Sequence, residues 1–173
     1  MLDLWKMKTT YKKEIDKEGK KEILDLIKMN KHIEIPPELI SNFLWIDLKE
    51  LKPHEQVFFK RGTGLCNYIE TFDRFFVLPS LIVCKNTFTI IDGHHRWFAL
   101  EKFGISKVPV TFVDYESDRI LTNRMENISK KEILEASSTG KLLPPKSSEH
   151  LVIDNNGQEY PIIVLSSICH FER

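Results

Sequence analysis

The chain has 173 residues, of which 42% are hydrophobic and 10% aromatic, and this size predicts one well-buried core with an appendage. Lys and Arg together number 25, as do Asp and Glu, so the formal net charge is +0. Without a broad basic field to attract phosphate backbones, nucleic acid is disfavoured as a partner.

The cysteine content and the apolar runs bear on the compartment. Cys66, Cys84 and Cys169 are an odd number without short-range pairing, which favours reduced thiols. The first residues lack the uninterrupted apolar core of a signal peptide, and no apolar run approaches the length of a membrane span. We therefore expect a cytoplasmic protein with no membrane partner.

Residues 1–45 are predicted to form an N-terminal helical extension. Ile23, Leu26 and Ile27 share one face of a Lys- and Glu-rich pattern. Further along, "IPPELISNFL" has proline where a helix can start. The second part of the chain, residues 46–173, is predicted to be a single domain.

Within residues 46–173 short apolar runs predict strands and two segments predict helices. Leu81–Cys84 and Phe88–Ile91 are typical of a hairpin. Ser129 and Glu132 have the spacing of a capping box, and Gly140 stands where that helix would stop. Together these elements predict an α/β (α+β) domain with a small mixed sheet and surrounding helices.

The segment "TIIDGHHRWFALEKFG" predicts a strand, a tight turn at Asp92-Gly93 and a helix over 96–103 that Gly104 ends. The first N–H groups of such a helix lack partners, and the helix dipole adds partial positive charge there. The turn is therefore predicted to receive an anion.

Each polar residue of the turn has a predicted role. Gly93 lets the backbone approach closely, and His94, His95 and Arg96 supply donors that match phosphate oxygens. Asp92 would orient a histidine or hold a hydrated Mg²⁺. The alternative for Arg96 is a structural ion pair with Asp92, because Arg96 shares a helical face with apolar residues. Zinc is disfavoured because adjacent histidine rings point apart and no Cys or His has ligand spacing to them.

Three segments carry a resemblance to a known family. In chain order they are "LKELKPHEQV", "IDGHHR" followed by "VPVTFVDY", and "GKLLPPKSSEH", which together span roughly residues 46–152. They resemble the ParB/sulfiredoxin-like superfamily, and within it the free-serine kinases of the siderophore-pathway and archaeal ADP-dependent types. The family's third motif reads Pro-Pro-Lys-Thr-Thr-Arg-His, whereas this chain has Ser147, Ser148 and Glu149 at the last three positions before His150.

The resemblance implies a small-molecule kinase that transfers a phosphoryl group from ATP or ADP, with Mg²⁺, to free L-serine. It implies that Glu55 is the general base, that Asp92 assists catalysis, and that the turn of Gly93, His94, His95 and Arg96 binds the nucleotide phosphates. Substrate contacts are implied for Lys146, Ser148 and His150. From the residues alone, a solvated strand-end carboxylate is the preferred interpretation of Glu55, and a polar loop is that of the third motif.

Three other functions are alternatives to the kinase. A sulfiredoxin needs a reactive cysteine in the turn, where this chain has histidines. A DNA-binding ParB-type regulator calls for a basic helix-turn-helix, whereas the residues after His150 predict a short β tail. A non-catalytic nucleotide or metabolite sensor is the main alternative, because the altered third motif is compatible with it.

Overall fold

The computed structural model describes residues 33–122 and 128–172. Its helices are α1 (Phe59–Glu70), α2 (His94–Lys102) and α3 (Lys130–Thr139). Its strands are β1 (Ile40–Asp47), β2 (Phe75–Pro79), β3 (Leu81–Cys84), β4 (Ile90–Asp92), β5 (Lys107–Val113), β6 (Ile120–Thr122), β7 (His150–Ile153), β8 (Glu159–Pro161) and β9 (Ile168–Glu172).

The central sheet has four strands in the order β1-β5-β3-β4. β3 and β5 run parallel, and the other two pairings are antiparallel. A two-stranded sheet pairs β2 with β9, and a three-stranded sheet has the order β6-β7-β8. The prediction of an α/β fold with a small mixed sheet is confirmed.

β3 separates two hydrophobic cores. Its side chains alternate between the faces of the sheet, so that Leu81 and Val83 join one apolar cluster while Ile82 and Cys84 join the other. All four residues are at most 2% exposed. Burial on both faces explains why β3 is an unbroken apolar run rather than an alternating one.

The turn between β4 and α2 is built around Gly93. Its φ of +111° is strained for a residue with a side chain, and a Cβ atom there would lie 2.6 Å from Leu81 Cδ2. α2 begins at His94, two residues earlier than predicted. The predicted hairpin of β3 with β4 and the predicted capping box of α3 are both present.

The helical prediction for residues 1–45 is wrong at its end. Residues 40–45 belong to β1, which pairs antiparallel with β5, and Pro37–Leu39 form only a short 3₁₀ turn. Proline at a possible helix start misled the prediction, because the pairing with β5 that defines this segment is a tertiary contact. The rest of the extension, residues 1–32, lies outside the described residues.

α1 replaces the strands that the sequence predicted after residue 46. Its two glycines lower the helix propensity, and one of them has a tertiary reason. A Cβ atom on Gly62 would lie 2.8 Å from the Phe98 ring of α2. Glycine therefore lets the two helices approach closely.

Two further observations concern the cysteines and the helices. Cys66, Cys84 and Cys169 are all free thiols. Among the residues that the structure describes, no helix is long and apolar enough to cross a membrane.

Candidate active site

A cleft of about 470 Å³ lies beside the N-terminus of α2. The cleft brings together all nine site residues that the sequence predicted. Its polar lining consists of Glu55, Arg61, Asp92, Gly93, His94, His95, Arg96, Lys146, Ser148, Glu149 and His150. The sequence prediction missed Arg61, which is on the unpredicted helix α1.

Backbone hydrogen bonds on both sides hold Glu55 in the cleft. Lys52 N–H donates to Phe88 O and Ile90 N–H donates to Lys52 O, both at 2.9 Å. On the other side, Gln56 N–H donates to Leu143 O and Leu143 N–H donates to His54 O, also at 2.9 Å. These bonds fix the extended segment 52–56 between β4 and the loop after α3.

Glu55 is a buried carboxyl group, only 6% exposed, and not the solvated strand end considered above. Its Oε2 lies 3.1 Å from Ser148 Oγ, and its Oε1 lies 3.8 Å from His94 Nδ1. Burial raises the pKa of Glu55, an effect that the Ser148 hydroxyl where it donates, the Ser148 backbone N–H and the positive charge of Lys146 oppose. A raised pKa makes the ionised carboxylate a better proton acceptor near neutral pH.

His54 is a second site residue that the sequence analysis missed. It is completely buried, and its Nε2 lies 2.7 Å from Ser148 Oγ. Its backbone N–H donates to His94 Nε2 at 3.2 Å. The only signal available in the sequence was its place beside Glu55 in "KPHEQ".

The residues of the turn divide into buried and accessible groups. His94 is buried beside Glu55, with Nε2 accepting the bond from His54. His95 is half-buried, and its Nε2 accepts from Phe58 N–H at 3.2 Å, which leaves Nδ1 as the donor. Of these two histidines, His95 is the better placed to contact a ligand.

Arg96 makes the ion pair with Asp92 that is the alternative to phosphate binding. Its guanidinium donates to the Asp92 carboxylate, to Pro79 O at 2.9 Å and to Ser80 O at 2.5 Å. The side chain is buried, so these bonds tie α2 to the end of β2. Its direct contact with phosphate stays a prediction that this geometry does not favour.

The same ion pair bears on the predicted Mg²⁺. The Asp92 carboxylate is paired with Arg96. Among residues 33–122 and 128–172, no group of three or more His, Cys, Asp or Glu side chains could hold a metal ion. The side chains present therefore do not fit a Mg²⁺ held by the protein alone.

The third motif contributes the opposite wall of the cleft. Lys146 has a φ of +64°, and both Lys146 and Glu149 are exposed. His150 is buried, and its Nε2 lies 2.9 Å from the Tyr115 hydroxyl. That contact occupies one of the two ring nitrogens of His150, whose contact with the substrate stays a prediction.

One end of the cleft is suited to an anion. The pKa of His95 is lowered by burial and then by the positive charges of Lys146 and Arg61. At the same end of the cleft, α2 begins without a side-chain cap on its first N–H groups. Cations and unsatisfied backbone donors therefore surround one position, which favours phosphate.

The sequence was compared with those of known proteins and families. No protein-family model matches the sequence. A ParB-like protein of Sulfolobus acidocaldarius is 28% identical over 120 residues, which cover 65% of this chain and 59% of that protein. The ADP-dependent L-serine kinase SerK of Thermococcus kodakarensis is 32% identical over 90 residues, 50% of this chain and 36% of that one. The ATP-dependent L-serine kinase of Staphylothermus marinus is 31% identical over 98 residues, 55% and 38% of the two chains.

Among solved structures, a free serine kinase in complex with AMP is 28% identical, with a TM-score of 0.42. That similarity covers 54% of this chain and 38% of the kinase. The matched region thus spans between 36% and 59% of the length of the relatives named above. The predicted resemblance is confirmed: the chain is similar to ParB-like proteins and to L-serine kinases.

Proposed function

We propose that this chain transfers a phosphoryl group from ATP or ADP to the hydroxyl of free L-serine or a similar small hydroxyl compound. The observation that carries the proposal is the buried Glu55 carboxyl group, which lines the same cleft as the uncapped N-terminus of α2. A proton acceptor and an anion site are the two parts that phosphoryl transfer to an alcohol requires.

The terminal phosphates of the nucleotide bind at the N-terminus of α2. The backbone N–H groups at the start of the helix, His95 Nδ1 and the charges of Lys146 and Arg61 provide the donors. Gly93 allows the turn itself, because its φ of +111° is strained for a residue with a side chain and a Cβ atom there would meet Leu81. Phosphoryl transfer depends mainly on positioning and charge stabilisation, so these groups carry most of the catalytic effect.

Glu55 removes the proton from the substrate hydroxyl as that oxygen attacks the terminal phosphorus atom. The new O–P bond forms while the bond from phosphorus to the bridging oxygen of the nucleotide breaks, and the electron pair leaves with the shortened nucleotide. Ser148 and His150, on the wall facing the turn, hold the amino-acid substrate. Asp92 acts indirectly, by fixing Arg96 under the turn.

The likeness to L-serine kinases supports this choice of acceptor. One relative is named as ADP-dependent and another as ATP-dependent, so the relatives leave both donors open. Mg²⁺ accompanying the nucleotide stays a prediction.

A non-catalytic nucleotide sensor is the second candidate, and Glu149 is the observation that favours it. The kinase motif has arginine at this position, and Glu149 brings a negative charge into the lining of the cleft. That charge opposes the charge stabilisation on which phosphoryl transfer depends, whereas a sensor requires no transfer.

The test is a panel of L-serine, L-threonine and L-homoserine, each incubated with ATP or ADP and Mg²⁺, with mass-spectrometric detection of the phosphorylated product. L-Alanine is the control because it lacks the hydroxyl. We expect O-phosphoserine with one of the two donors. Nucleotide binding by calorimetry without any phosphorylated product would favour the sensor. If neither nucleotide binding nor product is detected, the kinase and the nucleotide sensor are both refuted.

A further inference from the structure

His54 is a buried titratable group that the proposed chemistry leaves without a role. Its Nδ1 lies 2.7 Å from Ile90 O, and a carbonyl oxygen only accepts, so Nδ1 carries the ring proton. Burial lowers the pKa of His54 to about 4, so the ring is neutral at pH 7. Nε2 therefore presents a lone pair to Ser148.

The Ser148 hydroxyl has one proton and two acceptors within reach. Its Oγ lies 2.7 Å from His54 Nε2 and 3.1 Å from Glu55 Oε2. When the proton goes to His54, at the shorter distance, the serine oxygen turns its lone pairs toward Glu55. The 3.1 Å contact then becomes a hydrogen bond only when Glu55 itself carries a proton.

We propose that His54 is a positioning residue that accepts the hydrogen bond of the Ser148 hydroxyl, so that the Ser148 oxygen can in turn accept a hydrogen bond from Glu55 once Glu55 has taken the proton of the substrate hydroxyl. The donors then run in one direction, from Glu55 through Ser148 to His54. Only one proton moves in the step, from the substrate oxygen to Glu55, while Ser148 and His54 keep theirs. The catalytic consequence rests on the proposed function, whereas the direction of the hydrogen bonds does not.

Without His54, the Ser148 proton is free to turn to the ionised Glu55 carboxylate. A hydrogen bond donated to the ionised form lowers the pKa of a carboxyl group and weakens it as a base. The other titratable or charged groups around Glu55 and His54 are His94 on α2, Asp92 on β4, Lys146 in the third motif and His150 on β7. These four groups are retained in every variant of the following experiment.

The experiment measures the pKa of Glu55 by NMR of the ¹³C-labelled side-chain carboxyl in His54→Leu, His54→Gln, Ser148→Ala and the double variant His54→Leu/Ser148→Ala. We expect His54→Leu to lower the pKa by about one pH unit. His54→Gln should stay near wild type because its side-chain oxygen can accept the Ser148 proton. The pKa of Glu55 in Ser148→Ala should lie between the values in wild type and in His54→Leu. The double variant should have the same Glu55 pKa as Ser148→Ala.

The sign of the Ser148→Ala shift is decisive even where His54→Leu fails to fold. If Ser148 accepts from Glu55, its removal lowers the pKa; if it donates to Glu55, its removal raises the pKa and overturns the proposal. A folded His54→Leu protein with an unchanged pKa of Glu55 would also overturn it.

Turnover separates this inference from the proposed function. In an active enzyme, the acid limb of the kcat/KM profile should move to lower pH in His54→Leu by the shift that NMR records. If the wild-type protein phosphorylates no hydroxyl compound, the proposed function fails, and the order of the Glu55 pKa values still decides the hydrogen-bond direction.

Discussion

His95 and Arg96 are neighbours in one turn, but their side chains have opposite surroundings. Arg96 is 8% exposed, and its guanidinium is engaged by Asp92 and two backbone carbonyls. His95 is half-buried, lines the cleft and keeps one ring nitrogen as a donor. A cation whose donors are taken stabilises the fold, whereas a donor that remains accessible can bind a ligand.

Among the residues that line the cleft, Glu55 is the one whose substitution we expect to lower turnover most. Glu55→Gln keeps the size and the hydrogen bonding of the side chain but cannot accept the proton. We expect turnover with saturating serine and nucleotide to fall by about 10²–10⁴-fold, with nucleotide affinity and Tm near wild type. Glu135→Gln, on the exposed face of α3, is the matched control. Near-wild-type turnover in Glu55→Gln would remove Glu55 as the base.

Arg96→Ala tests the structural side of the comparison. The change leaves the carbonyls of Pro79 and Ser80 without this donor and the Asp92 carboxylate without its partner. We expect the free energy of unfolding, from urea titration, to fall by about 3 kcal/mol. Arg96→Lys should recover only part of the loss, because one ammonium cannot reproduce the planar fork. A stable Arg96→Ala protein with weakened nucleotide binding would instead support phosphate contact by Arg96.

The buried histidines predict an acid-sensitive fold. Burial lowers the pKa of His54 to about 4 and of His150 to about 3, and it also lowers that of His94. An unfolded chain protonates histidine near pH 6.5, so the stability from keeping these rings neutral is present above that pH and is lost as the pH falls. We expect a loss of about 2 kcal/mol for each of His54 and His150 between pH 7 and pH 5, and a further loss from His94 in the same direction.

The measurement is the free energy of unfolding at those two pH values, with His150→Gln as the comparison. On acidification, the free energy of unfolding of His150→Gln should fall less than that of wild type. The difference should equal the contribution of one histidine, about 2 kcal/mol. Glu55 affects the free energy of unfolding with the opposite sign, because burial raises its pKa. Its stabilising contribution is present at low pH and is lost as the pH rises. Equal pH dependence in the two proteins would show that His150 is not held neutral by the fold.

Local sequence signals predicted part of this structure correctly. Ser129, Glu132 and Gly140 delimit α3 because caps are formed by residues close in sequence. In contrast, β1 and α1 depend on β5 and on the Phe98 ring, which are distant in sequence. Propensity alone could not identify either element.

The candidate site shows the same division. The turn at Gly93 follows from its own residues, whereas Glu55 was found only through the resemblance, and His54 was missed. The sequence also could not decide whether Arg96 meets Asp92 or a phosphate, since both roles need the same residue types at the same spacing. The choice depends on where the carbonyls of Pro79 and Ser80 lie in the folded chain.

His95→Ala is the binding counterpart of Arg96→Ala. It removes one donor beside the N-terminus of α2 and leaves the bonds of Arg96 in place. We expect nucleotide affinity, measured by calorimetry, to fall about tenfold while Tm changes little. His170→Ala, an exposed histidine on β9, is the control. A large loss of stability with unchanged nucleotide affinity would mean that His95, like Arg96, stabilises the fold and does not bind the nucleotide.

The smallest expected effect concerns Glu149, where the kinase motif has arginine. Glu149 is exposed and lines the cleft with Lys146 and Arg61, so its carboxylate opposes the field that attracts phosphate. Glu149→Arg changes the local charge by two units, and we expect nucleotide affinity to rise about threefold in dilute buffer. Because position 149 is exposed, this gain in nucleotide affinity should fade in about 0.5 M salt.

Glu101→Arg, on the exposed surface of α2, changes the net charge equally and should leave the affinity unchanged. If the Glu149→Arg protein also turns over faster, the altered third motif has reduced kinase activity without abolishing it. Tighter binding without any phosphorylated product would favour the nucleotide sensor, because the restored charge would then serve binding alone. An affinity that does not respond to Glu149→Arg would mean that the phosphates bind too far from the third motif to feel its charge.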